Sequence, residues 1–128
     1  DDPDPRVLLI RQFRHATGDF LWEIPAGRRD GDEAPETTAR RELQEETGYQ
    51  ASHIERLTSI WTTPGFTDEV IHLFLASGLT PGASALEADE VLDLHPTRWS
   101  TVLQMVQSGT ITDTKSLNAI LFVQSFMR

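Results

Sequence analysis

Hydrophobic and polar positions follow two patterns along the chain, one typical of β-strands and one typical of helices. Short apolar runs bounded by Gly, Pro or polar residues are typical of β-strands, and five of them occur, at residues 6–14, 20–25, 53–62, 69–77 and 91–99. Helices are predicted at residues 35–47, at residues 100–109 and in a stretch that begins at Asp113. Because strands and helices mingle without a repeated βαβ unit, this order predicts an α+β fold with a mixed β-sheet.

Residues typical of helix ends bracket the three predicted helices. Pro35 suits a first helical turn, and Gly48 suits the position just past a helix end. Ser100 is predicted to cap the second helix and Asp113 the third. The spacing of three apolar residues in the third helix predicts a core-facing stripe of Leu117, Ile120 and Leu121.

Composition limits the classes of protein that remain. The 128 residues are 38% apolar and 24% charged, which predicts a single folded domain over residues 1–128. A net charge of −9 argues against nucleic acid as a partner. The absence of cysteine excludes disulfides and thiolate chemistry and is compatible with a cytoplasmic protein. Neither a secretory signal nor a membrane span is predicted.

The first candidate for chemistry is the stretch "RRELQEETG", residues 40 to 48. At 3.6 residues per turn, Glu42, Glu45 and Glu46 fall within about 100° of arc on one helix face. Glu42 and Glu46 repel each other, and this like-charge pair costs about 0.2–0.5 kcal/mol in an isolated helix. Arg41 is predicted to offset part of this cost by pairing with Glu45. An acidic face in solvent and a site for a hard divalent cation both remain open at this point.

The residues around this helix resemble a known family motif. The segment "GRRDGDEAPETTARRELQEETGY", residues 27 to 49, matches the Nudix box at each of its defined positions. The chain is therefore similar to the Nudix hydrolases, which cleave a nucleoside diphosphate linked to another moiety with Mg²⁺ or Mn²⁺. The resemblance implies an α/β/α sandwich around a mixed β-sheet.

The resemblance also implies roles for residues of the box. The implied metal ligands are Glu42, Glu45, Glu46 and the Ala26 carbonyl, and Glu46 is also implied in catalysis. Gly27, an implied substrate-site residue, would let the loop backbone come close to the metal because it has no Cβ. Arg41 and Glu33 are expected to hold the loop against the helix and to orient the carboxylates.

Two further segments are similar to the ADP-ribose pyrophosphatase subgroup. Pro64 stands fifteen residues after Tyr49, a spacing that marks this subgroup, and "RQFRHATGDFLWEIPAG" resembles its lead-in to the box. The implied reaction converts ADP-ribose and water into AMP and ribose 5-phosphate.

Two alternatives remain: hydrolysis of another nucleoside diphosphate sugar or a dinucleoside polyphosphate, and an ADP-ribose sensor without catalysis. An intact box and the lack of a visible DNA-binding domain argue against the sensor.

The same resemblance implies further site residues. Arg14 is expected to grip a substrate phosphate, and Glu69 to contact a substrate ribose. Trp61 is expected in the core with the other two tryptophans, or else at the border of the substrate site. The general base is expected in the acidic loop before the last strand, where the candidates are Glu87, Asp89 and Glu90. Glu87 is favoured as the base, and Glu90 matches a position that also reaches the metal in the subgroup.

The first five residues, "DDPDP", predict a tight reversal that leads into the first strand. With nothing before it to pair with, that strand is expected to present an unpaired edge, which natural proteins avoid. The subgroup carries additional N-terminal strands and forms homodimers. The sequence is thus expected to lack an N-terminal segment, and the working form is expected to be a homodimer.

Overall fold

A computed structural model describes residues 2–82 and 93–128. Its strands are β1 (Arg6–Arg14), β2 (Asp19–Glu23), β3 (Tyr49–Trp61), β4 (Val70–Pro81) and β5 (Asp93–Arg98). Its helices are α1 (Pro35–Thr47), α2 (Trp99–Gln107) and α3 (Thr114–Phe126). The predicted α+β class is confirmed, and α1 has the bounds that its terminal residues predicted.

The strands form two sheets whose described pairs are all antiparallel. In the three-stranded sheet β1 is central, so that Ile10 pairs with Glu23 of β2 on one side and with Leu94 of β5 on the other. β3 and β4 form the second sheet, a long hairpin. The expectation that β1 would have an unpaired edge is wrong, because β5 returns from the far end of the chain to pair with it.

The main hydrophobic core lies between the three-stranded sheet and the helices α2 and α3. Its buried members are Leu9, Trp99, Val102, Ile111, Ile120 and Val123. The buried face of α3 is centred on Ser116, Ala119, Ile120 and Val123. Leu121 lies on the opposite side of that helix and is 47% exposed, so its predicted place in the core is wrong. Three- and four-residue spacing admits two overlapping stripes, and packing selected the other one.

The N-terminal segment caps α2. The Asp4 carboxylate accepts hydrogen bonds from the backbone N–H of Ser100 at 2.8 Å and from its hydroxyl at 2.8 Å. These bonds lower the pKa of Asp4. The prediction that Ser100 caps this helix is wrong, because the helix already begins at Trp99 and the accepting side chain, that of Asp4, comes from the start of the chain.

Helix α1 contacts β3 and β4 and leads into β3 at Gly48. Gly48 has φ 77°, a left-handed conformation that a residue without a Cβ adopts without strain. Its N–H donates to the Gln44 carbonyl at 2.8 Å and so ends the helix. None of the helices that the structure describes has the length and apolar character needed to cross a bilayer.

Candidate functional site

The candidate site lies where α1 meets the loop that follows β2. The backbone N–H of Ala26 donates a hydrogen bond to Oε1 of Glu46 at 3.1 Å. The Glu42 carboxylate lies near Glu46, and its negative charge raises the pKa of Glu46. The helix thus presents two neighbouring carboxylates to the loop backbone, and two of the three predicted glutamate ligands are together.

Gly27 is required by the position of Glu42. A Cβ on Gly27 would lie 1.9 Å from the carboxyl carbon of Glu42 and 2.2 Å from its Oε2. Atoms cannot approach this closely, so any larger residue at position 27 would move the Glu42 carboxylate. The loop backbone thus comes close to the Glu42 side chain at Gly27, whereas its predicted approach to a metal stays a prediction.

The protonation of Glu46 reflects its surroundings. Burial raises the pKa of Glu46 to about 7, and the neighbouring Glu42 carboxylate acts in the same direction, against the hydrogen bond from Ala26. In the absence of a cation, proximity to Glu42 therefore disfavours the charged form of Glu46. A divalent cation would reverse this balance, because it interacts favourably with both negative charges.

Arg41 connects the loop to the carboxylates. Its guanidinium donates to Glu33 at 3.0 Å through Nε and at 3.0 Å through Nη2, and Nη2 also donates to the Arg28 carbonyl at 2.8 Å. Nη1 donates to Glu42 at 2.8 Å and to Glu45 at 3.0 Å. The predicted Arg41–Glu45 pair is confirmed. Hydrogen bonds from Arg41, Thr38 and the Asp30 N–H hold the pKa of Glu33 down at about 2.

The third predicted ligand points elsewhere. The Glu45 side chain is 56% exposed and turns toward Arg41. Within residues 2–82 and 93–128, no three acidic or histidine side chains converge as a ready metal cage. The chemistry still fits a hard divalent cation, since two adjacent carboxylates face a loop whose backbone comes close to them at a glycine.

A buried ionic network adjoins this site. Glu23, at the end of β2, is fully buried and receives two hydrogen bonds from Arg14, from Nε at 2.8 Å and from Nη2 at 2.7 Å. Lys115 of α3 donates to Glu23 at 2.6 Å and to Asp113 at 3.0 Å. Burial raises the pKa of Glu23, but the bonds and charges of Arg14 and Lys115 outweigh burial and leave it below the ordinary value.

Sequence reasoning missed Glu23 and Lys115. Two signals were available: Glu23 interrupts the short apolar strand "FLWEIP", and Lys115 is the only lysine in the chain. Neither signal identifies the partner, because 92 residues separate the two. Arg14, the predicted phosphate contact, is thus engaged with Glu23, although its side chain remains 44% exposed.

The other predicted site residues lie farther along the chain. Glu69 accepts a hydrogen bond from the Thr62 hydroxyl at 2.8 Å, at the mouth of the loop that carries Pro64. Trp61 is 62% exposed beside this loop, so its assignment to the core is wrong, whereas Trp99 is buried. Glu87, Asp89 and Glu90 lie outside the described residues.

Comparison with known proteins identifies the family. Residues 1–119 match the family model described as the NUDIX domain. The chain belongs to the Nudix family. It is 39% identical to the methanol dehydrogenase activator of Bacillus methanolicus and 37% identical to the ADP-ribose pyrophosphatase of Bacillus subtilis, over 93% of this chain in each case. It spans 65% of the length of each of these two relatives.

The chain is also similar to a further relative and to a solved structure. The chain is 37% identical to the GDP-mannose pyrophosphatase of Klebsiella pneumoniae, over 93% of this chain and 64% of that protein. The crystal structure of an ADP compounds hydrolase superposes with a TM-score of 0.81 and covers 98% of this chain and 68% of that one. Its sequence identity is 23%, so it supports the fold alone.

Proposed function

We propose that this protein hydrolyses the diphosphate bond of ADP-ribose to give AMP and ribose 5-phosphate, with Mg²⁺ or Mn²⁺ as cofactor. The observation that carries the proposal is the pair of carboxylates, Glu42 and Glu46, held against the backbone of Ala26 and Gly27. Carboxylates held this close together favour a divalent cation. Identities of 36–37% to two ADP-ribose pyrophosphatases support the choice of substrate.

We assign the metal to Glu42, Glu45, Glu46 and the Ala26 carbonyl. When bound, a divalent cation supplies charge that neutralises diphosphate oxygens and acidifies water. Glu45 would join the set by releasing Arg41, which would still have its hydrogen bonds to Glu33 and Glu42. Arg41 also donates a hydrogen bond to the Arg28 carbonyl at 2.8 Å, which holds the loop to the helix. Arg14 binds a substrate phosphate, and Glu69 contacts the substrate ribose.

The direct test is a hydrolysis assay with ADP-ribose. Purified protein is assayed for AMP with Mg²⁺, then with Mg²⁺ and excess chelator, then after Mg²⁺ is restored. We expect turnover that disappears with the chelator and returns with the metal. Turnover unaffected by chelation would contradict the metal assignment, and binding of ADP-ribose without product would indicate a sensor.

A second substrate class is supported by the similarity to a GDP-mannose pyrophosphatase, to which the chain is 37% identical, the same percentage as to the Bacillus subtilis ADP-ribose pyrophosphatase. A panel containing ADP-ribose, GDP-mannose and a dinucleoside polyphosphate separates the alternatives by kcat/KM. We expect the highest value for ADP-ribose. A higher value for GDP-mannose would keep the chemistry of the site and change its substrate.

We also propose that the working protein is a cytoplasmic homodimer whose chain is longer than these 128 residues. The support for a longer chain is that the relatives exceed it by about a third of their length. Intact mass and light scattering on protein purified from its native source test both parts. A monomer of 14.4 kDa with full activity would contradict them.

A further inference from the structure

We propose that Lys115, on the C-terminal helix, is a positioning residue that orients Arg14 toward the substrate diphosphate through the buried carboxylate of Glu23. This inference rests on the proposed function, in which Arg14 contacts a substrate phosphate. Lys115 lies outside the Nudix box and outside every segment that resembled the subgroup.

Arg14 and Lys115 both donate a hydrogen bond to the same carboxylate oxygen of Glu23. Oε1 of Glu23 accepts from Arg14 Nη2 at 2.7 Å and from Lys115 Nζ at 2.6 Å, while Oε2 accepts from Arg14 Nε at 2.8 Å. The guanidinium plane is therefore set by the plane of the Glu23 carboxylate. Any rotation of that carboxylate must break either the Arg14 fork or the bond to Lys115.

Lys115 is in turn anchored by the start of its own helix. Its ammonium donates to Asp113 at 3.0 Å, and the same Asp113 oxygen accepts from the N–H of Ser116 at 3.1 Å and from its hydroxyl at 2.6 Å. The Ser116 hydroxyl oxygen also accepts from the Ile24 N–H at 3.0 Å, next to Glu23. The helix end, the strand end and the buried carboxylate thus form one hydrogen-bonded unit.

The network is buried at Glu23 and Lys115 and exposed at Arg14. Glu23 has no exposed side chain and Lys115 has 11%, whereas Arg14 has 44%. Arg14 donates to Glu23 through Nε and Nη2, and no hydrogen bond of Nη1 is found within the described residues. The hydrogen bond to Glu23 raises the pKa of Arg14, and nearby negative charges that include Glu46 add to this effect. The exposed end of the network is thus within electrostatic reach of Glu46, one of the carboxylates assigned to the metal.

The charges in the network show why a lysine is needed. Two carboxylates, Glu23 and Asp113, are balanced by two cations, Arg14 and Lys115. If Lys115 is replaced by a neutral residue, Asp113 and Glu23 both attract Arg14, and Glu23 loses the contact that holds its carboxylate plane. A guanidinium that is no longer held in one orientation binds a phosphate less well, because substrate binding must then also order this side chain, which costs free energy.

The test is a mutant cycle between Glu23 and Lys115 on ADP-ribose hydrolysis, with Lys115→Met, Glu23→Gln, the double variant and Asn118→Ala. Asn118 is exposed one turn along the same helix and serves as the matched control. We expect Lys115→Met and Glu23→Gln each to raise KM about tenfold with a smaller change in kcat, as loss of a charge-assisted hydrogen bond implies. The double variant should have the KM of Glu23→Gln alone, because Lys115 acts through Glu23.

Two kinetic results would overturn the inference. Wild-type KM in Lys115→Met would mean that the lysine only neutralises a buried charge. A further rise in KM in the double variant over Glu23→Gln would mean that Lys115 acts independently of Glu23. If Lys115→Met does not fold, the KM of the double variant can still be compared with that of Glu23→Gln, because the double variant has no unpaired carboxylate at position 23.

A spectroscopic measurement keeps the inference separate from the proposed function. Because Lys115 is the only lysine, protein labelled with ¹⁵N-lysine gives a single side-chain ammonium signal. We expect this signal to shift in Arg14→Gln, since both residues bind the same carboxylate. An unchanged signal in Arg14→Gln overturns the inference. A shifted signal, together with no hydrolysis of ADP-ribose by the wild-type protein, overturns the proposed function alone.

Discussion

The Cβ that Gly27 lacks would lie 1.9 Å from the carboxyl carbon of Glu42. The smallest side chain in the loop is thus matched to a carboxylate on the helix 15 positions later in the sequence. This relationship makes the position of Glu42 depend on the loop backbone. It also makes residue 27 a sensitive test of whether Glu42 holds the metal.

Gly27→Ala should weaken Mg²⁺ binding by about tenfold to a hundredfold, the range typical when a group that orients a ligand is altered. The Glu42 side chain can rotate away from the new methyl group, so we expect the protein to remain folded. Titration of turnover against Mg²⁺ measures the effect, with thermal unfolding as the check on folding. In a Glu42→Gln background, Gly27→Ala should add little, and an equal added loss there would contradict the explanation.

Replacing Glu45 and Glu46 together by Gln should abolish Mg²⁺-dependent turnover. The metal-free protein should be as stable as wild type or slightly more so, because removing the Glu42–Glu46 repulsion gains about 0.2–0.5 kcal/mol. The amide that replaces the Glu46 carboxylate keeps an oxygen that can accept from the Ala26 N–H. Glu36→Gln removes an exposed acid from the same helix and is the matched control. Near-wild-type turnover in the double variant would refute the metal assignment.

The ion pair between Glu33 and Arg41 should make stability depend on acidic pH. The folded-state pKa of Glu33 is lowered from 4.5 to about 2, so protons bind the unfolded state more readily. Its contribution to stability is therefore complete above pH 4.5 and disappears as the pH falls toward 2. Wild type should unfold at a higher temperature than Glu33→Gln near neutral pH, and the two melting temperatures should converge across this window. A constant difference across the window would show that Glu33 acts without its charge.

The general base is predicted by sequence in the acidic loop. Single alanine substitutions at Glu87, Asp89 and Glu90 should produce one large loss of kcat, about a hundredfold or more, as removal of a general base typically does. The variant with the large loss should also lose the alkaline-side plateau of the pH–rate profile. Three small and equal losses would place the base elsewhere.

Local sequence determined α1 and the arrangement of its charges. Pro35 and Gly48 act through neighbouring backbone geometry, so they predicted the bounds of α1 without reference to the rest of the fold. The face shared by Glu42 and Glu46 follows from helical periodicity, and so does the Arg41–Glu45 pair. These features depend on residues no more than a few positions apart, and the structure contains all of them.

Tertiary structure decided which distant segments meet. β5 pairs with β1 and makes it a central strand, Asp4 caps α2 at Ser100, and Lys115 reaches Glu23 across 92 positions. Local patterns show that a strand or a cap is needed without saying which segment supplies it. That choice is made by burial: Glu23 requires cationic partners because its carboxylate is taken out of water, and only the packing of α3 against the end of β2 brings Lys115 to it.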